Sequence, residues 1–327
     1  MRVLVTGGAG FLGKKVVSAL LAHGHLPVLL VRGGRRPGLP ENVEVIPGDV
    51  RDAETFKSAA TGCDAILHAA AMVKIWSPRI AEFDEINVGG IHNAIAAAKA
   101  HNIRLVYTSS FMAVGPTPEM PVDESQIHPG GYRNDYERTK ALADEIARRF
   151  AGEGGDIVML YPGVVYGPGE LTDGNIIAKM LADRMNGRLP GIVGPGDRHW
   201  SYAFVDDVAE GHVAALERGR KGERYFLAGD NATLTEVFAA ASKRAGRNLA
   251  PRNLPYGLSR VVGRAMWLWA DITGKMPDLT HQAVGIFENN WAYRSDKAVR
   301  ELGYCVRPLQ EGIGATVDWL IEEGHAA

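Results

Sequence analysis

Eleven residues near the start, Val3-Leu4-Val5-Thr6-Gly7-Gly8-Ala9-Gly10-Phe11-Leu12-Gly13, limit what this chain can fold into more than any other stretch. The apolar run reads as a buried strand, a helical pattern opens at Phe11, and glycines fill the turn between them. Gly8, Gly10 and Gly13 fit G-x-G-x-x-G, while Gly7, Gly10 and Gly13 fit G-x-x-G-x-x-G. Positions without side chains permit a tight turn and let backbone N–H groups approach an anion at the positive end of a helix. An ordinary glycine turn would satisfy the same string. The strand before it, the helix after it and its place at the head of a β-α-β pattern favour a dinucleotide site, with Gly7, Gly10, Phe11, Leu12 and Gly13 as candidate contacts.

The pattern continues along the chain. Strands are expected at 2–6, 26–32, 43–47, 63–68, 104–109 and 156–161, and helices at 11–23, 53–60, about 80–100 and about 134–151. Such short, continuously apolar strands suit a sheet covered on both faces. The expected fold is therefore α/β, a doubly wound parallel Rossmann sheet with a smaller C-terminal substrate-binding cap. Residues 1–165 would form the dinucleotide-binding core, with returns from about 201–230, and 166–327 mainly the cap. Helices are expected there at about 172–186, 233–246, 256–273, 296–302 and 309–323.

Charge and cysteine usage exclude several classes. With 36 Lys+Arg against 38 Asp+Glu, and no basic run, nothing favours a nucleic-acid partner. Cys63 and Cys305 supply neither a disulfide framework nor a metal set, and the ten His residues show no zinc-type spacing. No metal is expected, and a reducing, cytoplasmic setting fits. The chain opens straight into its first strand without a signal-type leader, and no uncharged apolar stretch reaches the ~18 residues of a membrane span. The run Val261 to Trp269 is too short to cross a bilayer but would suit cap core, an interface or a membrane surface.

Two further clusters carry chemistry. The second strand ends Val31-Arg32-Gly33-Gly34-Arg35-Arg36, where a carboxylate would grip the ribose of NAD. A guanidinium suits a 2′-phosphate instead, so Arg32 favours NADP, with NAD still open. Asp49, followed by Val50, stands where a carboxylate could meet the adenine amino group or merely cap a turn. The strand from Arg104 delivers Thr108, Ser109 and Ser110 to the carboxyl end of the sheet. Tyr136 and Lys140, spaced i, i+4, share a helix face, where an ammonium would lower the phenol pKa and make it a usable proton donor and acceptor.

With these residues in place the chain resembles the extended short-chain dehydrogenases/reductases of the NAD-dependent epimerase/dehydratase superfamily. The resemblance extends to Leu67-His68-Ala69-Ala70, Asn87-Val88, Tyr161-Pro162-Gly163-Val164-Val165-Tyr166-Gly167-Pro168-Gly169 and Phe204-Val205-Asp206-Asp207. Within that superfamily it is nearest to the dihydroflavonol reductase-like branch, and there to the plant farnesol dehydrogenases. The resemblance implies Ser110, Tyr136 and Lys140 as catalytic residues. It adds Ala69, Ala70, Asn87, Thr108, Ser109, Tyr161, Pro162, Gly163 and Val165 to the cofactor contacts. Trp76, Phe111, Tyr166 and Trp200 are the candidate substrate residues, Trp200 standing where many nucleotide-sugar epimerases carry a diphosphate-gripping Arg. The expected activity is hydride transfer between a nicotinamide and a lipophilic alcohol, ketone or aldehyde. A nucleotide-sugar epimerase or dehydratase is the alternative, and a non-catalytic dinucleotide binder the second. A small molecule is the expected partner, and a homodimer is left open.

Overall fold

The computed structural model describes residues 1–34 and 38–326. Arg35 and Arg36 of the basic loop lie outside the described residues. The first half runs β1 (Arg2–Thr6), α1 (Phe11–Ala22), β2 (Leu26–Val31), β3 (Glu44–Pro47), α2 (Ala53–Ala59), β4 (Ala65–His68), α3 (Ala81–Phe83), α4 (Gly89–His101), β5 (Arg104–Thr108), α5 (Asp135–Gly152) and β6 (Ile157–Pro162). Then follow β7 (Val164–Tyr166), α6 (Ile176–Met185), β8 (Ile192–Val193), β9 (His199–Phe204), α7 (Val205–Arg218), β10 (Arg224–Leu227), β11 (Asp230–Thr233) and α8 (Leu234–Ala245). The chain closes with β12 (Asn253–Leu254), α9 (Tyr256–Thr273), α10 (His281–Phe287), α11 (Asp296–Leu302) and α12 (Leu309–Glu322).

Seven strands form one sheet in the order β10-β6-β5-β4-β1-β2-β3, every neighbouring pair parallel. The period of two along each strand explains why this sheet needs helices on both faces. Leu4, Ile66, Leu105, Tyr107, Ile157 and Met159 face one core with α2, α4 and α5, where Phe56, Ile91 and Ala147 receive them. Their neighbours Val3, Val5, Ala65, Leu67, Val106, Val158 and Leu160 face the other, against Val16 and Leu20 of α1 and Val208 and Leu216 of α7. All these side chains are buried. At about 25 cal/mol per Å² of apolar surface, this two-sided burial is the main force that fixes the register.

A mixed three-stranded sheet, β11-β9-β7, and the parallel pair β12-β8 lie outside the main sheet. The expected helix over about 80–100 is interrupted by a π-helical turn at Asp84–Val88. Among the elements that periodicity did not announce are β7, β8, β11, β12 and α10. They are short, and several lie in Gly- and Pro-rich segments where neither a period of two nor one of 3.6 can develop.

Candidate active site

The glycine loop is built by close backbone approach. Gly7 turns with φ +78°, and a Cβ there would lie 2.6 Å from the Ala70 nitrogen and 2.7 Å from the Ala69 carbonyl carbon. Only glycine lets the turn after β1 rest on the turn after β4. At Gly13 a Cβ would lie 2.0 Å from the Gly7 carbonyl oxygen, so α1 packs directly onto the turn. Gly10 caps α1 without a side-chain hydrogen bond, and the one nearby atom that a Cβ there would meet is the Gly7 oxygen at 3.4 Å. The positive end of α1 thus faces open space over Gly10, a cradle that fits a pyrophosphate. Phe11 itself is buried, its ring so close to Gly169 that a Cβ there would meet it at 2.8 Å, and Leu12 packs against the core on the α1 side. Lys14 Nζ pairs with Glu170 at 2.5 Å and ties α1 to the segment after β7.

The neighbouring strand ends carry both charges found in the sequence reading. Arg32 is exposed immediately after β2. Asp49 is clamped by Arg51, whose backbone N–H and Nε each donate to Oδ1 at 3.0 Å while Nη2 donates to Oδ2 at 2.7 Å. The guanidinium holds the Asp49 carboxyl below its usual pKa. A carboxylate has about four acceptor sites, so this clamp leaves Asp49 some capacity. Val50 gives its carbonyl to Asn93 Nδ2 at 2.8 Å.

Below the cradle, Thr6 Oγ1 accepts the Ala70 N–H at 3.3 Å and lies 2.7 Å from His68 Nδ1. Burial, and secondarily Lys140, lowers the His68 pKa to about 3. Asn87 sits on the π-helical turn, accepts the Met72 N–H at 2.8 Å and donates to Thr139 Oγ1 at 3.0 Å. It fastens the segment after β4 to α5. Its side chain is engaged in the fold, so the sequence reading of Asn87 as a cofactor contact meets a bracing residue here.

Tyr136, Lys140 and Asp144 follow one another by single turns of α5, whose N-terminus is capped by Asn134 accepting the Glu137 N–H at 2.8 Å. The expected lowering of the Tyr136 pKa by Lys140 is not what this structure shows. Lys140 is buried and donates to the Thr108 carbonyl at 2.9 Å and to Tyr107 Oη at 3.3 Å, with the Tyr107 ring centroid 4.9 Å away. Its pKa falls to about 7 because burial disfavours the ammonium, with Asp144 opposing the shift. Burial raises the Tyr136 pKa, and it is Ser110 that pulls it back. Desolvation therefore outweighs the helix-face pairing in the free protein.

Ser110 leaves β5 in extended conformation, and its Oγ accepts the Met112 N–H at 3.2 Å. Thr108 Oγ1 lies 2.9 Å from His212 Nε2, and Ser109 Oγ donates to Asp144 at 3.4 Å. Asp144, buried on the same helix, also accepts from Arg148 Nε at 2.8 Å and from the Tyr161 hydroxyl. Sequence reasoning missed Tyr107, Asp144 and His212. The signal for Asp144 was available, since it continues the i, i+4 row of Tyr136 and Lys140. Tyr161 gives its side chain to this network, while Gly163 lies so near Ser201 that a Cβ would meet its carbonyl oxygen at 2.6 Å. Pro162 closes β6, and Val165 on β7 packs against the core on the α1 and α7 side.

The candidate substrate residues separate into two groups. Trp76 and Trp267, with Ile75, Ile80 and Phe83, line a cavity of about 500 Å³ that Asp135 also borders, one residue from Tyr136. Trp76 Nε1 donates to Asp271 at 3.1 Å, which fixes its ring. Phe111 stands next to Ser110, its ring edge-on to Trp291 at 5.5 Å. Phe111, Trp200 and Tyr166 are not among the residues that line this cavity. Trp200 is buried on β9, donates to the Asn289 carbonyl at 3.1 Å and packs against Phe287 at 5.1 Å. Tyr166 is enclosed by Tyr202 and Phe204. Both were expected at the substrate; their strands turn them into the packing of the second sheet.

Comparison with known proteins agrees with this arrangement. Residues 3–228 match the model of the NAD dependent epimerase/dehydratase family. A Synechocystis sp. protein that carries a provisional dihydroflavonol 4-reductase name is 30% identical, over 98% of this chain and 95% of its own length. The 4-hydroxy-2-methyl-3-oxo-4-farnesyl-3,4-dihydroquinoline-1-oxide ketoreductase of Stigmatella aurantiaca is 32% identical, over 96% and 95%. The UDP-glucose 4-epimerase of Thermus thermophilus, solved in complex with NAD, superposes with a TM-score of 0.76 at 26% identity, covering 98% of this chain and 99% of that one.

Proposed function

The chain belongs to the NAD dependent epimerase/dehydratase family of extended short-chain dehydrogenases/reductases, and from that premise we propose that it exchanges a hydride between a nicotinamide and a lipophilic ketone, aldehyde or alcohol. The observation that carries the substrate class is the aromatic cavity bordered by Asp135, the residue before Tyr136. Its walls combine Trp76, Trp267, Ile75, Pro78, Ile80 and Phe83 with Ser77, Gln282 and two carboxylates, Asp135 and Asp271, the latter engaged by Trp76 Nε1, a lining that offers aromatic and aliphatic surface to an apolar body beside a few polar groups. The Stigmatella aurantiaca relative, a ketoreductase whose name includes a farnesyl-bearing compound, supports the same reading.

The bound nicotinamide supplies or accepts the hydride. Gly7, Gly10, Gly13 and the N-terminus of α1 would hold its pyrophosphate, and Arg32 a 2′-phosphate, which makes NADP the favoured cofactor. Tyr136 gives a proton to the substrate oxygen during reduction and takes it during oxidation. The Ser110 hydroxyl, which lowers the Tyr136 pKa in the free protein, would turn its one proton to the substrate oxygen as charge develops there. Lys140, anchored at the Thr108 carbonyl, would hold the adjacent ribose. Residues 1–165, with returns from about 201–230, would serve as the cofactor half, and 166–327 mainly as a cap that closes the cavity with Trp267, Asp271 and Gln282 over walls supplied by the first half.

Enlarging the cavity tests the assignment. Trp76→Ala and Trp267→Ala should each raise KM for a prenyl or aromatic carbonyl by about 10-fold or more, since truncating a buried aromatic loses a few kcal/mol of apolar contact. Cofactor affinity, measured by titration of the same variants, should stay within about 2-fold of wild type. An unchanged KM in both variants would remove this cavity from the reaction.

A further inference from the structure

Helix α9 leaves its largest apolar surface uncovered. Leu258, Val261, Val262, Ala265, Leu268, Trp269 and Ile272 are all exposed, Val261 at 69% and Ile272 at 85%. At 100° per residue these seven positions fall on one stripe about 120° wide. Ser259, Gly263 and Ala270, the buried residues of α9, lie on the side turned toward α10, where a Cβ on Gly263 would meet the Thr280 carbonyl carbon at 2.7 Å. The helix therefore makes its closest contact through small residues, keeps Tyr256, Met266 and Trp267 partly covered on that side, and presents its other large apolar residues outward. That inverts the usual amphipathic pattern.

Charge decides which occupant this face fits. Cations flank the stripe: Arg260 and Arg264 lie on one rim of α9, and Lys275 follows its C-terminus, 5.9 Å from the Trp269 ring centroid. Arg260 also pairs with Glu288 at 2.6 Å. Asp271, the helix's single carboxylate, is exposed between Arg260 and Arg264 around the helix and accepts from Trp76 Nε1, which leaves the rim with a net positive charge. Bulky aliphatics and a tryptophan on one face with Lys and Arg at its margin compose a helix that lies in the headgroup region of an anionic bilayer. Among the described residues no helix is long and apolar enough to cross a membrane, so the contact is lateral.

We propose that the outward face of α9 docks this protein on anionic lipid membranes. Trp267 and Asp271, which line the aromatic cavity, lie on the same flank of the helix as Arg260 and Arg264, so the rim of the docked surface and the cavity share one element. The docking itself does not depend on which substrate the cavity takes, because it is read without substrate.

The test is co-sedimentation of the full chain with vesicles of phosphatidylcholine alone and of phosphatidylcholine with phosphatidylglycerol. Wild type should bind the anionic vesicles at least about 10-fold more strongly than the neutral ones, and lose most of that binding in about 0.5 M salt. Leu268→Asp/Ile272→Asp should abolish binding while leaving circular dichroism and the melting temperature unchanged, since both side chains are exposed. Arg264→Glu/Lys275→Glu should reduce binding to anionic vesicles selectively. Wild-type binding to neither vesicle, or undiminished binding by the Leu268/Ile272 variant, overturns the proposal. So does a dimer in sedimentation velocity that the Leu268/Ile272 variant dissolves, because the face would then belong to a second copy.

Discussion

Lys140 shows how burial, rather than the spacing of residues on a helix, decides the state of the candidate catalytic groups before any ligand arrives. Its amine meets a backbone carbonyl and the Tyr107 phenol, and loses the hydration that would keep its pKa near 10.5. Tyr136 undergoes the same desolvation with the opposite sign, because burial favours whichever form of a group is neutral. The proton that the phenol carries is the one the proposed reduction needs. Tyr136→Phe keeps the ring and its packing and removes that proton. It should lower kcat by at least ~100-fold, the usual scale of lost acid/base catalysis, while Kd for the nicotinamide, followed by fluorescence, changes little. A Phe variant that turns over like wild type would exclude Tyr136 as the proton donor.

Among the elements, α1 is the one whose sequence and geometry coincide most fully. Its first turn rests on backbone at Gly7, so Gly13→Ala places a methyl group 2.0 Å from a carbonyl oxygen that has no flexible end to move. That variant should melt several degrees lower, or lose nicotinamide binding if the turn shifts to relieve the overlap; a variant with both properties intact would contradict the packing described for the cradle. The glycine loop, the parallel strands and the Tyr136/Lys140 row were legible because each rests on local periodicity or on a turn that only glycine can make. The π-helical turn at Asp84–Val88, which aims Asn87 at Met72 and Thr139, was not legible, since one extra residue in a turn leaves no mark on an apolar pattern. Trp200 misled for a related reason. A large aromatic in an apolar region suits a pocket and a core equally, and only β9's pairing between β11 and β7, with Phe287 opposite, turns it inward.

For the molecule as a whole, two buried histidines couple stability to pH. Burial holds His68 at about 3 and His212 at about 4, against 6.5 for the exposed side chain. The unfolded chain takes up protons below about pH 6.5 that the folded chain refuses, so stability falls as pH drops from there toward 4. Each histidine contributes up to about 1.4 kcal/mol per pH unit in that window. Denaturant unfolding at pH 7 and pH 5 should show a large loss in the wild type and a smaller one in His212→Asn; equal losses would mean that His212 is not kept neutral by the fold. The larger claim concerns the use to which the whole scaffold is put, because its fold and its Tyr and Lys residues serve hydride transfer to a free carbonyl compound and sugar isomerisation equally well. The most direct measurement incubates the protein with NADPH or NADH and prenyl or aromatic ketones and aldehydes, and separately, with NAD or NADP, with UDP- and dTDP-sugars, following nicotinamide absorbance and product configuration together. Net oxidation of the reduced nicotinamide by the lipophilic carbonyl compounds, fastest with NADPH, is the predicted result, and sugar isomerisation without net nicotinamide turnover, alongside inactivity on every lipophilic compound, would contradict it.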